Sequence, residues 1–309
     1  MKKEDFAQLV NLSMENADFA NMRPVVEKEL LHYEIFSALD EAGLLKNLVF
    51  QGGTSLRLCR GSDRFSEDLD FAGGKDFSSV SMEKIKACIE TRIGSRFGLK
   101  VVVKEPRSEK RRGLVAVDKW WIAIETTPGN PAMPKQKIKL EIANIPAYTR
   151  ELVPLRINYQ ALEGRPQVLV IAESLDEVLA DKIVALPTSI SAFANGKQAL
   201  TPTKIRHRDI WDIAWLVGKG ATLNAVFVNN KILDYGIENY GALVDFAMKT
   251  VPEVAASEVF KTQMKRFIKD SSYKQAFGRD GFEGYLASTV NQLFQEIRQH
   301  LISETKSIN

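Results

Sequence analysis

Apolar positions change their period along this chain. From Pro24 to Ala42, Val25, Val26, Leu30, Leu31, Ile35 and Leu39 recur at helical spacing and Gly43 follows, which predicts a helix with a glycine stop. Leu48–Phe50 is a short apolar run that enters Gly52-Gly53, and Thr54–Arg60 reads as a short helix. Leu69–Phe71 predicts a strand, followed by Gly73-Gly74 and a helix over about 81–96. Three strand-like runs come next: "LKVVVKE" (99–105), "LVAVDKWWIAIE" (114–125) and "KIKLEIAN" (137–144). "PQVLVIA" (166–172) predicts one more strand. From Ser174 onward helical patterns dominate. This switch sets the expected domains: an α/β core with N-terminal helices over 1–173, then a helical domain over 174–309 that completes an active-site cleft.

Composition narrows the class. The 309 residues are 45% hydrophobic and 26% charged, an ordinary globular balance that can bury one large core or two moderate ones. A net charge of +3 permits a polyanionic partner without requiring one. Two cysteines, Cys59 and Cys88, with no CxxC and no histidine-rich spacing, argue against a disulfide framework or a zinc site. "MKKEDFAQLVNLSMENADF" carries Glu4 and Asp5 and no long apolar run, so it does not read as a signal peptide. No stretch approaches the roughly 18 apolar residues a membrane span needs. The expectation is a cytoplasmic protein with no membrane partner.

Candidate chemistry concentrates in "FQGGTSLRLCRGSDRFSEDLDFAGG", residues 50–74. On a strand, residues two apart share a face, so Asp68 and Asp70 project together while Leu69 and Phe71 enter the core. Two close carboxylates repel unless a cation sits between them, and oxygen ligands of this kind suit Mg²⁺ with substrate phosphates. Gly52, Gly53 and Thr54, between a strand and a helix, can offer backbone N–H groups to an anion. The plainer alternative is a glycine turn with a charged strand edge. In "KQKIKLEIAN", Ile138, Leu140 and Ile142 share one face and Lys137, Lys139 and Glu141 the other. Glu141 is thus a third candidate carboxylate, as two-metal phosphoryl transfer expects, although a solvated Lys/Glu face is the commoner meaning of such a pattern.

Further on, Ser174 and Glu177 are spaced as a capping box. Lys182 falls on the stripe of Leu175, Val178, Leu179 and Leu186, where a lysine must reach solvent, meet an acid or point into a cleft. In "KIRHRDIWDIAWLVGKG", Asp209 lies on the packed side, and Arg208 and Asp212 can pair along the helix. Buried charges need partners, so a Lys182–Asp209 contact is expected, as a structural salt bridge or as part of a site. Three basic clusters stand out: Lys104, Arg107, Lys110, Arg111 and Arg112; Lys135, Lys137 and Lys139; and Lys204, Arg206 and Arg208. Each reads first as solvated surface, and the 104–112 loop is the candidate for gripping a polyanionic acceptor.

"GGTSLRLCRGSDRFSEDLDF", "KIKLEI", "LADKIVAL" and "RHRDIWDIAWL", in that order over residues 25–220, resemble the AbiEii/AbiGii-type nucleotidyltransferases. These are the toxin arm of type IV toxin–antitoxin and abortive-infection systems. The resemblance implies a mixed α/β, polymerase-β-like nucleotidyltransferase core with a mixed sheet, followed by a C-terminal helical domain. It implies Mg²⁺-dependent transfer of a nucleotide from an NTP to an acceptor such as RNA at a tRNA end, with an antitoxin that acts indirectly. Carried over by position, Gly52, Gly53 and Thr54 would hold the triphosphate, and Asp68 and Asp70 the metal with Glu141 as third acid. Ser66 would lie near the reacting phosphate. Lys182 would contact the nucleotide phosphates, with Asp209, Arg208 and Asp212 from the last motif. Glu141 departs from the pattern, since an aspartate is common there. The rival expectations are a kinase-like phosphotransferase that moves a γ-phosphate, and a nucleotide- or RNA-binding regulator without catalysis.

Overall fold

The computed structural model describes residues 3–15, 17–19, 21–106, 115–130, 133–190, 192–194, 197–199 and 205–308. The chain divides into two compact units, Met1–Glu173 and Ser174–Asn309.

In the first unit the order is α1 (Phe6–Ser13), α2 (Arg23–Glu41), β1 (Val49–Gln51), α3 (Gly52–Arg60), β2 (Leu69–Ala72), α4 (Ile85–Phe97), β3 (Lys100–Lys104), β4 (Val117–Glu125), β5 (Gln136–Ala143), β6 (Glu151–Pro154) and β7 (Leu169–Ala172). The seven strands form one mixed sheet in the order β3-β4-β5-β2-β1-β7-β6. The β2–β5 and β1–β7 pairs are parallel, and the β1–β2, β3–β4, β4–β5 and β6–β7 pairs are antiparallel. A mixed α/β core is therefore the observed class.

Alternation along the strands divides the sheet into two unlike faces. Phe50, Leu69, Phe71, Leu140, Ile142, Trp120 and Ile122 are buried. The Phe36 ring of α2 packs against Phe50 and Phe71 at centroid distances of 4.8 and 6.0 Å, so the helical layer lies on this face. α2 carries two buried carboxylates that anchor neighbouring elements. Glu29 accepts from Arg57 Nε of α3 at 2.9 Å, and Glu34 accepts from Arg92 and Arg96 of α4, each at 3.2 Å. Buried carboxylates persist because each is paired, and the Glu29–Arg57 pair fixes α3 against α2.

The second unit contains α5 (Leu175–Ile190), the short strands β8 (Ala192–Ala194) and β9 (Lys197–Ala199), α6 (His207–Gly218), α7 (Ala225–Tyr235), α8 (Tyr240–Ala256), α9 (Glu258–Phe267), α10 (Asp270–Phe277) and α11 (Phe282–Ile308). The Glu177 amide donates to Ser174 Oγ at 3.2 Å, as a capping box requires. The Glu177 carboxylate meets the fully buried Lys231 at 2.9 Å, which ties α7 to α5. Tyr240 Oη of α8 donates to the Ile183 carbonyl of α5 at 2.8 Å.

Candidate active site

The helical layer leaves the opposite face of the sheet polar, and the candidate residues of the first unit gather there. Asp70 of β2 pairs in register with Glu141 of β5 on one side and with Gln51 of β1 on the other. Asp68 precedes β2 on the same face. Two lysines from the neighbouring strands hold these acids. Lys139 Nζ lies 3.1 Å from Asp68 Oδ2 and 3.4 Å from Glu141 Oε2, and Lys119 Nζ lies 2.7 Å from Glu141 Oε1. Burial opposes ionisation of Glu141, yet the Lys119 hydrogen bond and the Lys139 charge outweigh it and hold the carboxyl below the usual range. Burial likewise works against a charged Lys139, and Asp68, Glu141 and Asp70 together reverse that and raise it.

The glycine turn stands directly beside the carboxylates. β1 ends at Gln51 and α3 opens at Gly52 with no side-chain cap, so the first amides of this helix remain available to an anion. Gly52 has φ +77°, and a Cβ there would lie 2.8 Å from Asp70 Oδ2. A Cβ on Gly53 would collide with the Arg64 guanidinium and lie 3.0 Å from Ser66 Oγ. Gly52 therefore requires glycine for its backbone conformation, whereas a side chain at Gly53 would have to push the Arg64 guanidinium and Ser66 Oγ aside. Thr54 Oγ1 donates to the Asp68 carbonyl, which ties the helix start to the acidic strand. Ser55 Oγ donates to the Gly52 carbonyl at 2.8 Å. Gly52, Gly53, Thr54, Ser66, Asp68 and Asp70 thus converge, joined by Glu141 across the β2–β5 pair.

Three carboxylates, Asp68, Asp70 and Glu141, line this face, a chemistry that suits Mg²⁺. The buried Gln51 Oε1, in register with Asp70, has no hydrogen-bond partner among the described residues and adds an acceptor at the edge of the group. Among the described residues, however, no three His, Cys, Asp or Glu side chains are drawn together as a metal-holding group. Lys119 and Lys139 are the cations these acids face. Asp68 and Asp70 fit a metal, and Glu141 would join them only with Lys139 displaced.

Arg64, Lys119, Lys139 and Gln51 were not among the residues the motifs single out as site residues. Arg64 is buried, 2% exposed, two positions before Ser66. Lys139 lies on the same predicted strand face as Glu141, and that alternation is the signal that could have found it. The basic cluster Lys135, Lys137 and Lys139 proves partly neutralised, because Lys135 pairs with Glu125 at 3.5 Å and Lys139 with the acids. Arg107, Lys110, Arg111, Arg112 and Lys204 lie outside the described residues.

In the second unit, Lys182 of α5 meets both carboxylates of α6. Its Nζ is 2.6 Å from Asp209 Oδ1 and 2.9 Å from Asp212 Oδ2, with the lysine side chain 6% exposed and the two acids 4% and 1%. Arg206 adds a second cation at Asp209. Burial favours protonation of Asp209, but Lys182 and Arg206 outweigh it and hold its pKa low. The Arg208 guanidinium lies 4.7 Å from the centre of the Phe267 ring.

The first unit thus combines a mixed sheet backed by helices with an uncapped glycine turn set against strand-borne carboxylates. The family model for the nucleotidyl transferase AbiEii toxin of type IV toxin–antitoxin systems matches residues 34–287. The chain belongs to this family. No curated protein matches it. Among solved structures it is similar to MenT4, the nucleotidyltransferase toxin Rv2826c from Mycobacterium tuberculosis H37Rv, at 16% identity and TM-score 0.53 over 96% of this chain and 99% of that one. JHP933 from Helicobacter pylori matches at 16% identity and TM-score 0.42 over 92% of this chain and 96% of that one.

Proposed function

We infer that this chain transfers a nucleotide from an NTP to an RNA acceptor in a Mg²⁺-dependent reaction. The observation that carries the reading is the juxtaposition of the uncapped start of α3 with Asp70, closed at Gly52 to within 2.8 Å of where a side chain would begin. Amides of Gly52, Gly53 and Thr54 bind the triphosphate, and the Arg64 guanidinium and Ser66 hydroxyl beside Gly53 face the same phosphates. Asp68 and Asp70 would hold Mg²⁺, which when bound neutralises phosphate charge. An acceptor hydroxyl attacks the α-phosphorus and forms a new P–O bond. The bond to the β-phosphate breaks, pyrophosphate leaves, and the hydroxyl proton passes to a carboxylate of this face. Catalysis here is chiefly positioning and charge stabilisation. For Lys182, Asp209, Asp212 and Arg208 of the second unit, the reading keeps only the role in nucleotide binding that the resemblance implies. Membership of a type IV family also supports an antitoxin that acts indirectly.

The test is incubation with α-labelled and γ-labelled NTPs, total RNA, and either Mg²⁺ or EDTA. Label from the α position should enter RNA only with Mg²⁺, and Asp68→Asn and Asp70→Asn should abolish it without lowering the melting temperature. Transfer of γ-label alone would make the protein a phosphotransferase. Near wild-type transfer by either variant would refute the metal assignment.

A further inference from the structure

Beyond the carboxylates, the polar sheet face continues across β5, β4 and β3 into a surface that the transfer chemistry does not use. Trp121 of β4 is 50% exposed there, although its neighbour Trp120 is buried on the other face at 2%. Trp121 pairs in register with Lys104 on β3 and with Lys139 on β5. Two residues along β4 on either side, Lys119 pairs with Glu141, and Ala123 pairs with Lys137 and with Val102. Val102 is itself 38% exposed. The result is an open apolar patch of Trp121, Ala123 and Val102, framed by four lysines. Lys119 and Lys139 are engaged by the acids. Among the described residues neither Lys104 nor Lys137 has an ion-pair partner. Strand order sets the distance from this patch to the chemistry. Trp121 and Asp68 lie in one cross-strand row with only Lys139 between them, about 10 Å at the usual strand spacing.

We propose that this face is the acceptor-strand platform: a base near the 3′ end of a single-stranded RNA stacks on Trp121, and Lys104 and Lys137 hold the flanking phosphates. A large exposed indole framed by cations matches the composition of single-strand binding surfaces, where stacking and phosphate pairing act together. The positive frame selects a polyanion over an apolar protein surface. The platform lies within reach of the carboxylates, so the strand it holds presents its terminal hydroxyl to them. This inference rests on the proposed transfer to RNA and assigns the residues that would recognise the acceptor.

Binding is measured by anisotropy of a fluorescein-labelled single-stranded RNA 12-mer, in EDTA and without NTP, across a KCl series. NTP affinity is measured separately by calorimetry. Trp121→Ala should weaken RNA binding about 5- to 150-fold, the range for losing one stacked base, while Trp121→Phe should restore most of it. The Lys104→Ala/Lys137→Ala double variant should make the log–log salt slope shallower by about 1.4, at roughly 0.7 per phosphate contact on single strands. NTP affinity and melting temperature should stay at wild-type values in all three. Wild-type RNA affinity and slope in Trp121→Ala and the lysine variant would overturn the platform, as would an absence of RNA binding by the wild type. If RNA binds through Trp121 and yet no NTP label is transferred, the platform stands and the transferase reading falls.

Discussion

Replacing Lys182 with methionine is the perturbation whose size the structure sets most directly. The ammonium lies 2.6 and 2.9 Å from two carboxylates that are 4% and 1% exposed. Methionine keeps the length of the stem and removes the charge. Asp209 would keep Arg206, whose own side chain is largely exposed at 56%, whereas Asp212 loses the ammonium at 2.9 Å. Breaking one side of a buried pair costs about 3–5 kcal/mol, since a buried carboxylate then loses the ammonium that offsets its desolvation. At about 2–4 °C per kcal/mol for a domain of this size, the melting temperature should fall by roughly 6–20 °C. Lys182→Met/Asp212→Asn should recover a large part of that loss, because an amide at this position carries no buried charge that needs the ammonium. The assay is thermal unfolding by circular dichroism for wild type, single and double variants, alongside NTP titration of each. A melting temperature within about 2 °C of wild type, together with lost NTP affinity, would refute the structural account and leave Lys182 to the nucleotide alone. A fall in melting temperature with unchanged NTP affinity would instead remove Lys182 from the nucleotide site.

Gly52→Ala should destabilise the first unit by about 1–2 kcal/mol, since φ is +77° there and the new methyl meets the Asp70 carboxylate; denaturant titration measures it, and an unchanged midpoint would show that the turn relaxes freely. The folded pKa values of Asp209 and Glu141 lie below their ordinary values. Each therefore contributes stability that is present above the unfolded carboxylate pKa of about 4 and is lost as pH falls through the folded pKa. Melting temperatures across pH 2–6 should show wild type losing stability below about pH 4. Lys182→Met should lose less over that window, because carboxylates that have lost the ammonium gain more from protonation; parallel curves would sink the assignment.

Helical and strand periods were readable wherever one face is buried and the other is not. β2 alternates over Leu69–Phe71 and β5 over Lys137–Ile142, so the shared face of Asp68 and Asp70, and that of Lys139 and Glu141, followed from spacing alone. α2 was similarly plain and differs from the expected Pro24–Ala42 by a residue at each end. The expected helix over about 81–96 resolves into a short 3₁₀ turn, Ser79–Met82, and then α4 from Ile85. β6 was missed because its exposed residues, with Leu152 68% exposed, carry no apolar alternation; the strand exists through pairing with β7 at the sheet edge. α1 was passed over because it is only eight residues long, and its helix is stabilised locally by the Asp5 cap on the Gln8 amide. Period says which face a residue takes and nothing about which strands become neighbours. The pairing of β2 with β5, which lie about seventy residues apart, could not be read from either segment.

That pairing determines what the acids do. Asp68, Asp70 and Glu141 on adjacent strands would repel one another if the face carried acids alone, at a cost that grows as the site is shielded from water. The same alternation that places Glu141 on this face also places Lys139 there, and the antiparallel register of β4 brings Lys119 opposite Glu141. Each lysine sits where it can offset the repulsion while no other cation is present, so the sheet can fold with its acids already in position. The arrangement also sets a competition. On the proposed metal assignment, Mg²⁺ at Asp68 and Asp70 would have to displace the Lys139 ammonium, 3.1 Å from Asp68, before Glu141 could join. Lys139→Met should therefore tighten Mg²⁺ binding measured by calorimetry and lower the melting temperature in EDTA, with Mg²⁺ restoring it. Weaker Mg²⁺ binding in that variant would mean that the lysine organises the carboxylates for the metal, and the competition argued here would be wrong.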